Sequence, residues 1–177
     1  MKTVFADNIS AQYTLSQLLS YLAKSIDSKV IIETGTFRGC TTSILAENNP
    51  DAKIYTFEYD EKFIKESKKS LKKYDNITLV EGDVVSALPL IIANNKIEKV
   101  DFIFLDAAKA TYIESFKAVD KIMKLGGIVT AHDTFMKILD SNDSIRFRKY
   151  LESRKDYVII NVDIYDRGLT IAQKVKE

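Results

Sequence analysis

One recurring order narrows the fold of this chain more than any other feature: a short β-branched run, then a longer amphipathic stretch, several times over. Alternation of this kind predicts βαβ units around a parallel sheet. Strands are expected at 29–34 (KVIIET), 53–58 (KIYTFE), 77–81 (ITLVE), 100–105 (VDFIFL) and 127–132 (GIVTAH). Several are apolar nearly throughout rather than alternating, as a sheet covered by helices on both faces requires. Helices are expected between them, near 40–48, 60–74, 84–95 and 109–123.

The C-terminal part breaks the pattern. A helix near 143–154 leads into YVIINVDI and then GLTIAQK, with only a few residues between the two runs, among them Asp166, Arg167 and Gly168. So short a link permits an antiparallel hairpin but not a crossover. Ahead of the first strand, Leu15, Leu18, Leu19, Leu22 and Ile26 share one helical face, which predicts a helix packed on the sheet. Packing over a ligand crevice is the other arrangement this face allows. No Ser/Gly-rich or Pro-rich linker and no internal repeat divides the 177 residues. One domain is expected over 1–177, with a helical segment at 1–28 and the sheet core at 29–177.

Charge and composition remove several functions. Lys and Arg total 26 against 25 Asp and Glu, a net charge of +1, so the broad positive field of a duplex nucleic-acid binder is missing. The basic stretch at 65–74 (KESKKSLKKY) has Phe63, Ile64 and Leu71 opposite it and reads as the solvated face of an amphipathic helix. The single Cys40 cannot form an intramolecular disulfide, no Cys/His spacing suits zinc, and Cys40 reads as a small buried filler. The N-terminus lacks a basic start followed by an apolar core. The longest apolar run, ALPLIIA, is far short of the roughly 18 residues of a membrane span. The chain is expected in the cytoplasm, without nucleic-acid or membrane partners.

Open α/β sheets bind ligands outside the carboxyl ends of their strands, at the switch point of strand order, so the residues just after each run carry the functional argument. ETGTFRG follows the first, with Glu33, Gly35 and Gly39. Glycines there let backbone turn and a ligand approach closely, or simply make a tight strand-to-helix turn. A dinucleotide fingerprint would need glycine where Phe37 and Cys40 stand, which argues against NAD or FAD. Glu58 ends the second strand, about 20 residues past the glycine turn, the interval of a ribose-binding carboxylate. Its bland role is to open the next helix. After the third strand, Gly82 and Asp83 fit either beside an adenine edge or as an N-cap. DAAKATY follows the fourth: Asp106 ends the run, and Lys109 and Tyr112 share one face if a helix starts there. That placement fits ligand or acid–base groups, or else an N-cap followed by a solvated lysine. The fifth delivers the sole histidine, His132, beside Asp133.

With these residues in place, the chain resembles the class I S-adenosylmethionine-dependent methyltransferases, and most closely the catechol and caffeoyl-CoA type of O-methyltransferases. The likeness runs from LLSYLAKSIDSKVIIETGTFRG through FLDAAKATY and LGGIVTAHDT to RGLTIAQK. Glu33, Gly35 and Gly39 match the family's Glu-x-Gly-x-x-x-Gly, and Asp106, Lys109 and Tyr112 its Asp-x-x-Lys-x-x-Tyr. The resemblance implies a doubly wound Rossmann-like α/β domain whose mostly parallel seven-stranded sheet ends in an antiparallel strand, with 29–177 as the cofactor-binding core. It implies S-adenosylmethionine on Glu33, Gly35, Thr36, Gly39, Glu58, Tyr59, Gly82, Asp83, Val84, Asp106 and Tyr112. It further implies a divalent cation, Mg²⁺ or Mn²⁺, on Asp106, His132 and Asp133, with Lys109 as general base and Asp106 catalytic beside it.

Two departures from the family stand out. His132-Asp133 replaces the usual Asp-Asn, and the chain leaves little room for the N-terminal helices and late loop that shape an acceptor pocket. The expected activity is metal-assisted O-methylation of a small hydroxylated, aromatic acceptor. The alternatives are a metal-independent methyltransferase with His132 as base and a non-catalytic cofactor-binding module. A homodimer completing the acceptor pocket is a further option.

Overall fold

A computed structural model of the chain describes residues 13–135, 142–164 and 167–177. The start of the 1–28 segment, up to Gln12, and Asp166 lie outside the described residues. Five strands alternate with helices in the expected order: β1 (Val30–Thr34), β2 (Lys53–Glu58), β3 (Ile77–Glu81), β4 (Val100–Leu105) and β5 (Met123–His132). The helices are α1 (Tyr13–Ser25), α2 (Cys40–Asn48), α3 (Glu61–Leu71), α4 (Val84–Asn94) and α5 (Tyr112–Asp120). After them come α6 (Asp143–Glu152), β6 (Tyr157–Val162) and β7 (Leu169–Lys174).

The seven strands form one sheet in the order β3-β2-β1-β4-β5-β7-β6. Pairings from β3 to β5 are all parallel, and β7 runs antiparallel to both β5 and β6. The expected C-terminal hairpin forms, but its second strand inserts between β5 and the first. β5 begins at Met123 rather than 127: Met123 pairs with Val100, and the register then shifts before Phe102 pairs with Ile128.

Burial explains the apolar runs. β4 is buried at every position, with Phe102 and Phe104 facing one core and Ile103 and Leu105 the other. α1 sends Leu15, Leu19 and Ala23 into the first of these cores, against Leu45 of α2 and the face of the sheet, so the helix packs on the sheet. Ser16 and Thr41 hydroxyls meet at 2.9 Å across that contact. A buried carboxylate sets the β1–β4 register at its start: Asp101 Oδ2 accepts from the Lys29 and Val30 amides, both at 2.9 Å. Charge-assisted bonds of this type are among the stronger ones a fold contains.

The local chemistry of the helix starts agrees with their positions. Asp60 caps α3 by accepting from the Lys62 and Phe63 amides, and Asp83 caps α4 by accepting from the Ser86 amide, each satisfying donors that the first turn leaves open. In α3, Ile64, Ser67 and Leu71 are buried while the lysines face outward. Cys40, at the start of α2, is partly exposed rather than buried. Among the described residues no helix is long and apolar enough to cross a membrane.

Candidate active site

β1 has β2 on one side and β4 on the other, so strand order reverses between β1 and β4, and the loops after them diverge. An open crevice of about 250 Å³ lies there, where such sheets place their ligands. Its walls come from four successive strand ends: Gly35 to Phe37, Phe57 to Asp60, Gly82 to Val84, and Asp106 to Ala108.

Gly35 makes this convergence possible. Its φ is +90°, and a Cβ there would stand 2.8 Å from the Asp106 carbonyl oxygen. Only a residue without a side chain lets the β1 turn press against the end of β4. Across the crevice, Glu58 Oε2 accepts from the Phe37 amide at 2.7 Å, and Oε1 accepts from the Tyr59 and Asp60 amides at 3.0 Å each. One carboxylate thus ties the β1 loop to the β2 loop. Oε1 thereby uses both of its lone pairs, while Oε2 retains one further acceptor site. Phe37, at φ +50°, packs against Phe63 with centroids 4.2 Å apart and the rings tilted by 53°, and gives this end of the crevice an aromatic wall.

Glu33, Gly39 and Tyr112 lie behind the crevice rather than on it. Glu33 is buried, with Oε2 accepting from the Thr42 and Thr56 hydroxyls at 2.5 and 2.6 Å, while Oε1 has no hydrogen-bond partner. Burial pushes its carboxyl up to about 7, against the downward pull of the two threonines. Gly39 precedes α2 and abuts Leu71. Tyr112 is fully buried, and its hydroxyl donates to the His132 carbonyl at 3.1 Å. Thr36, Tyr59, Gly82, Asp83 and Val84 all line the crevice.

Adjacent to the crevice, the ends of β4 and β5 bring the remaining residues together. Lys109, in a 3-10 turn over Lys109–Thr111, donates to Asp106 Oδ1 at 3.1 Å and to the Tyr112 hydroxyl at 2.7 Å, and its Nζ lies 3.0 Å from Asp133 Oδ2. His132 Nδ1 is 3.2 Å from Asp106 Oδ1 and Nε2 is 3.6 Å from Asp133 Oδ1. Burial raises the Asp106 carboxyl, but Lys109 and His132 outweigh it and hold the group below its ordinary value. Burial likewise pulls Lys109 down, yet Tyr112, Asp106 and Asp133 prevail, and the ammonium is held above its ordinary value.

Asp106, His132 and Asp133 offer donor atoms all within 4.8 Å of one another. Two carboxylates and an imidazole form a donor set that fits Mg²⁺ or Mn²⁺, the nitrogen favouring the latter. A residue that strand-end reasoning missed completes the cluster: Arg167, in the β6–β7 link, brings Nε to 2.7 Å from Asp133 Oδ1. No local signal marks it, since its approach depends on β7 lying beside β5.

A doubly wound sheet with a crevice at its switch point and a polar cluster beside it defines a Rossmann-like α/β protein. The chain belongs to the O-methyltransferase family, whose model matches residues 2–163. It is 28% identical over 149 residues to caffeoyl-CoA O-methyltransferase 1 of Eucalyptus globulus, covering 81% of this chain and 60% of that one. It is also 28% identical over 142 residues to a catechol O-methyltransferase of Niastella koreensis, covering 77% and 64%. The chain thus spans less than two thirds of either relative. Among solved structures, the O-methyltransferase TomG of Streptomyces achromogenes, in complex with SAM, superimposes with a TM-score of 0.86 at 22% identity, covering 96% of this chain and 83% of that one.

Proposed function

We propose that this chain transfers a methyl group from S-adenosylmethionine to a hydroxyl of a small hydroxylated aromatic acceptor, with a divalent cation assisting. The observation that carries the reading is the double position of Asp106, which lines the crevice and also belongs to the cluster with Lys109 and His132. A sulfonium held in the crevice would present its methyl group to an acceptor held at the cluster. Family membership and the SAM bound by TomG support the cofactor assignment. The catechol and caffeoyl-CoA relatives support the acceptor class.

Methyl transfer is an in-line displacement: the acceptor oxygen attacks the methyl carbon as the carbon–sulfur bond breaks. Holding the three atoms in line is worth roughly 7–11 kcal/mol, and the rigid strand ends supply it. Glu58 would accept from a ribose hydroxyl at Oε2, while Phe37 and Phe63 would offer apolar surface to the base. Asp106 faces the methionine end.

A divalent cation held by Asp106, His132 and Asp133 would lower the pKa of a coordinated acceptor hydroxyl. Lys109 receives the acceptor proton at Nζ once Asp106 and Asp133 are engaged elsewhere. Those carboxylates are two of the three groups that hold it as an ammonium, Tyr112 being the other, so engaging them lowers its proton affinity. While the two carboxylates face it, Lys109 is an ammonium and holds the site in register.

His132 as a metal-independent base and a purely binding role are not favoured. Both ring nitrogens already face carboxylates, and the family is one of transferases. The test is incubation of the protein with methyl-labelled adenosylmethionine, Mn²⁺ and a set of catechol-bearing acceptors. Label on an acceptor oxygen with matching adenosylhomocysteine is expected; adenosylmethionine binding without transfer to any acceptor would overturn the reading.

A further inference from the structure

The polar cluster already contains its own counter-charges. Two carboxylates, Asp106 and Asp133, face one ammonium and one guanidinium: Lys109 lies 3.1 and 3.0 Å from them, and Arg167 lies 2.7 Å from Asp133. Those four charges sum to zero. A divalent cation entering among the same donors would meet two positive groups within a few ångströms. Inside a low-dielectric site such repulsion is weakly screened.

The two cations are not equivalent. Lys109 is locked in: its side chain is 14% exposed and it also donates to Tyr112. Arg167 is 32% exposed, more than twice as open to solvent as Lys109. Its backbone, by contrast, is held. The Arg167 amide donates to the Ile164 carbonyl and the Phe135 amide donates to the Arg167 carbonyl, both at 3.0 Å. The next residue, Gly168, has φ +78°, and a Cβ there would stand 2.4 Å from the Phe135 ring. The link is therefore pressed against the end of β5 and delivers the guanidinium to Asp133.

We infer that Arg167 sets how tightly the Asp106–His132–Asp133 cluster holds a divalent cation, by competing for Asp133. The inference rests on reading that cluster as a divalent site. Arg167 is a positioning residue: it acts through Asp133, and the cation binds as the guanidinium withdraws. Neutralising the side chain should therefore tighten metal binding, an effect that loss of a merely structural contact would not produce.

Mn²⁺ titrations followed by calorimetry and by the paramagnetic resonance of free Mn²⁺ test this on the full chain, using wild type, Arg167→Gln and Arg167→Lys. Arg167→Gln is expected to bind Mn²⁺ at least tenfold more tightly than wild type, and Arg167→Lys, which keeps the charge, to remain near wild type. Equal or weaker binding by Arg167→Gln, or no Mn²⁺ binding by any of the three, overturns the inference. Adenosylhomocysteine affinity, measured on the same samples, is expected to be unchanged across the three. Its absence in wild type would count against the methyltransferase reading, separately from the metal result.

Discussion

Lys109 joins two strand ends that are remote in sequence: its Nζ lies 3.0 Å from Asp133 Oδ2, linking the turn after β4 to the end of β5. Asp133 itself adopts a φ of +59°, a conformation uncommon for a residue with a side chain and usually retained where function requires it. The bond therefore holds a strained residue at the site where acceptor and cofactor would meet.

Replacing Lys109 with Met shortens the unbranched side chain by one atom and removes the charge, leaving Asp106 and Asp133 without it. Loss of an acid–base group lowers turnover by about 10²–10⁴-fold, and breaking a buried pair costs about 3–5 kcal/mol. Lys109 lies outside the crevice walls, so adenosylhomocysteine affinity should stay within about threefold, less than 1 kcal/mol. Steady-state kinetics, denaturant unfolding and a binding titration check the three parts. Turnover near wild type would refute the role given to Lys109.

Gly35 and Gly82 line the same crevice but should respond differently to alanine. At Gly35 the new Cβ would meet the Asp106 carbonyl at 2.8 Å, whereas at Gly82, with φ +130°, it meets nothing within 4 Å. Gly82→Ala should show backbone strain of about 1–3 kcal/mol. Gly35→Ala adds a clash with backbone and should cost more, with weakened cofactor binding. Chemical denaturation of both variants checks this, and a larger loss for Gly82→Ala would contradict the close approach of β1 and β4.

Glu33 gives stability a pH dependence of defined sign. Its carboxyl is raised by burial to about 7 in the fold from an ordinary value of 4.5, so between those values the folded chain binds more protons than the unfolded one. Stability from this group is fully present below about pH 4.5 and is lost as pH rises through about 7. The full span is on the order of 3 kcal/mol. Glu33→Gln should flatten the decline in unfolding free energy between pH 5 and 8, and an unchanged slope would show that Glu33 is ionised in the fold throughout.

Much of this architecture was legible because β-branched runs and strand-end polar residues are local signals. Asp106, His132 and Asp133 fell together because β4 and β5 are neighbours whose ends follow directly from the apolar pattern. Arg167 was not legible as a site residue. Its place depends on β7 inserting between β5 and β6, a non-local pairing that no spacing encodes. Glu33 illustrates the opposite limit: the apolar run places it near the end of β1, but only packing shows that Thr42 and Thr56 enclose it behind the crevice. The early start of β5 was hidden because Met123–Gly127 carries two glycines and a lysine, residues that weaken a strand signal.

The central claim is that Glu58 and the loops it ties form a nucleoside grip. Glu58 accepts three backbone amides at 2.7–3.0 Å, so Glu58→Ala removes both the acceptor for the ribose and the tie between loops. Hydrogen bonds to a charged group are worth about 1.5–3 kcal/mol each, which corresponds to a loss of tenfold or more in affinity. Calorimetric titration of adenosylhomocysteine into wild type and Glu58→Ala is the most direct measurement. The account predicts micromolar binding at one site in wild type and at least tenfold weaker binding in the variant. No heat with wild type at protein concentrations of tens of micromolar, or equal affinity in the two proteins, would contradict it.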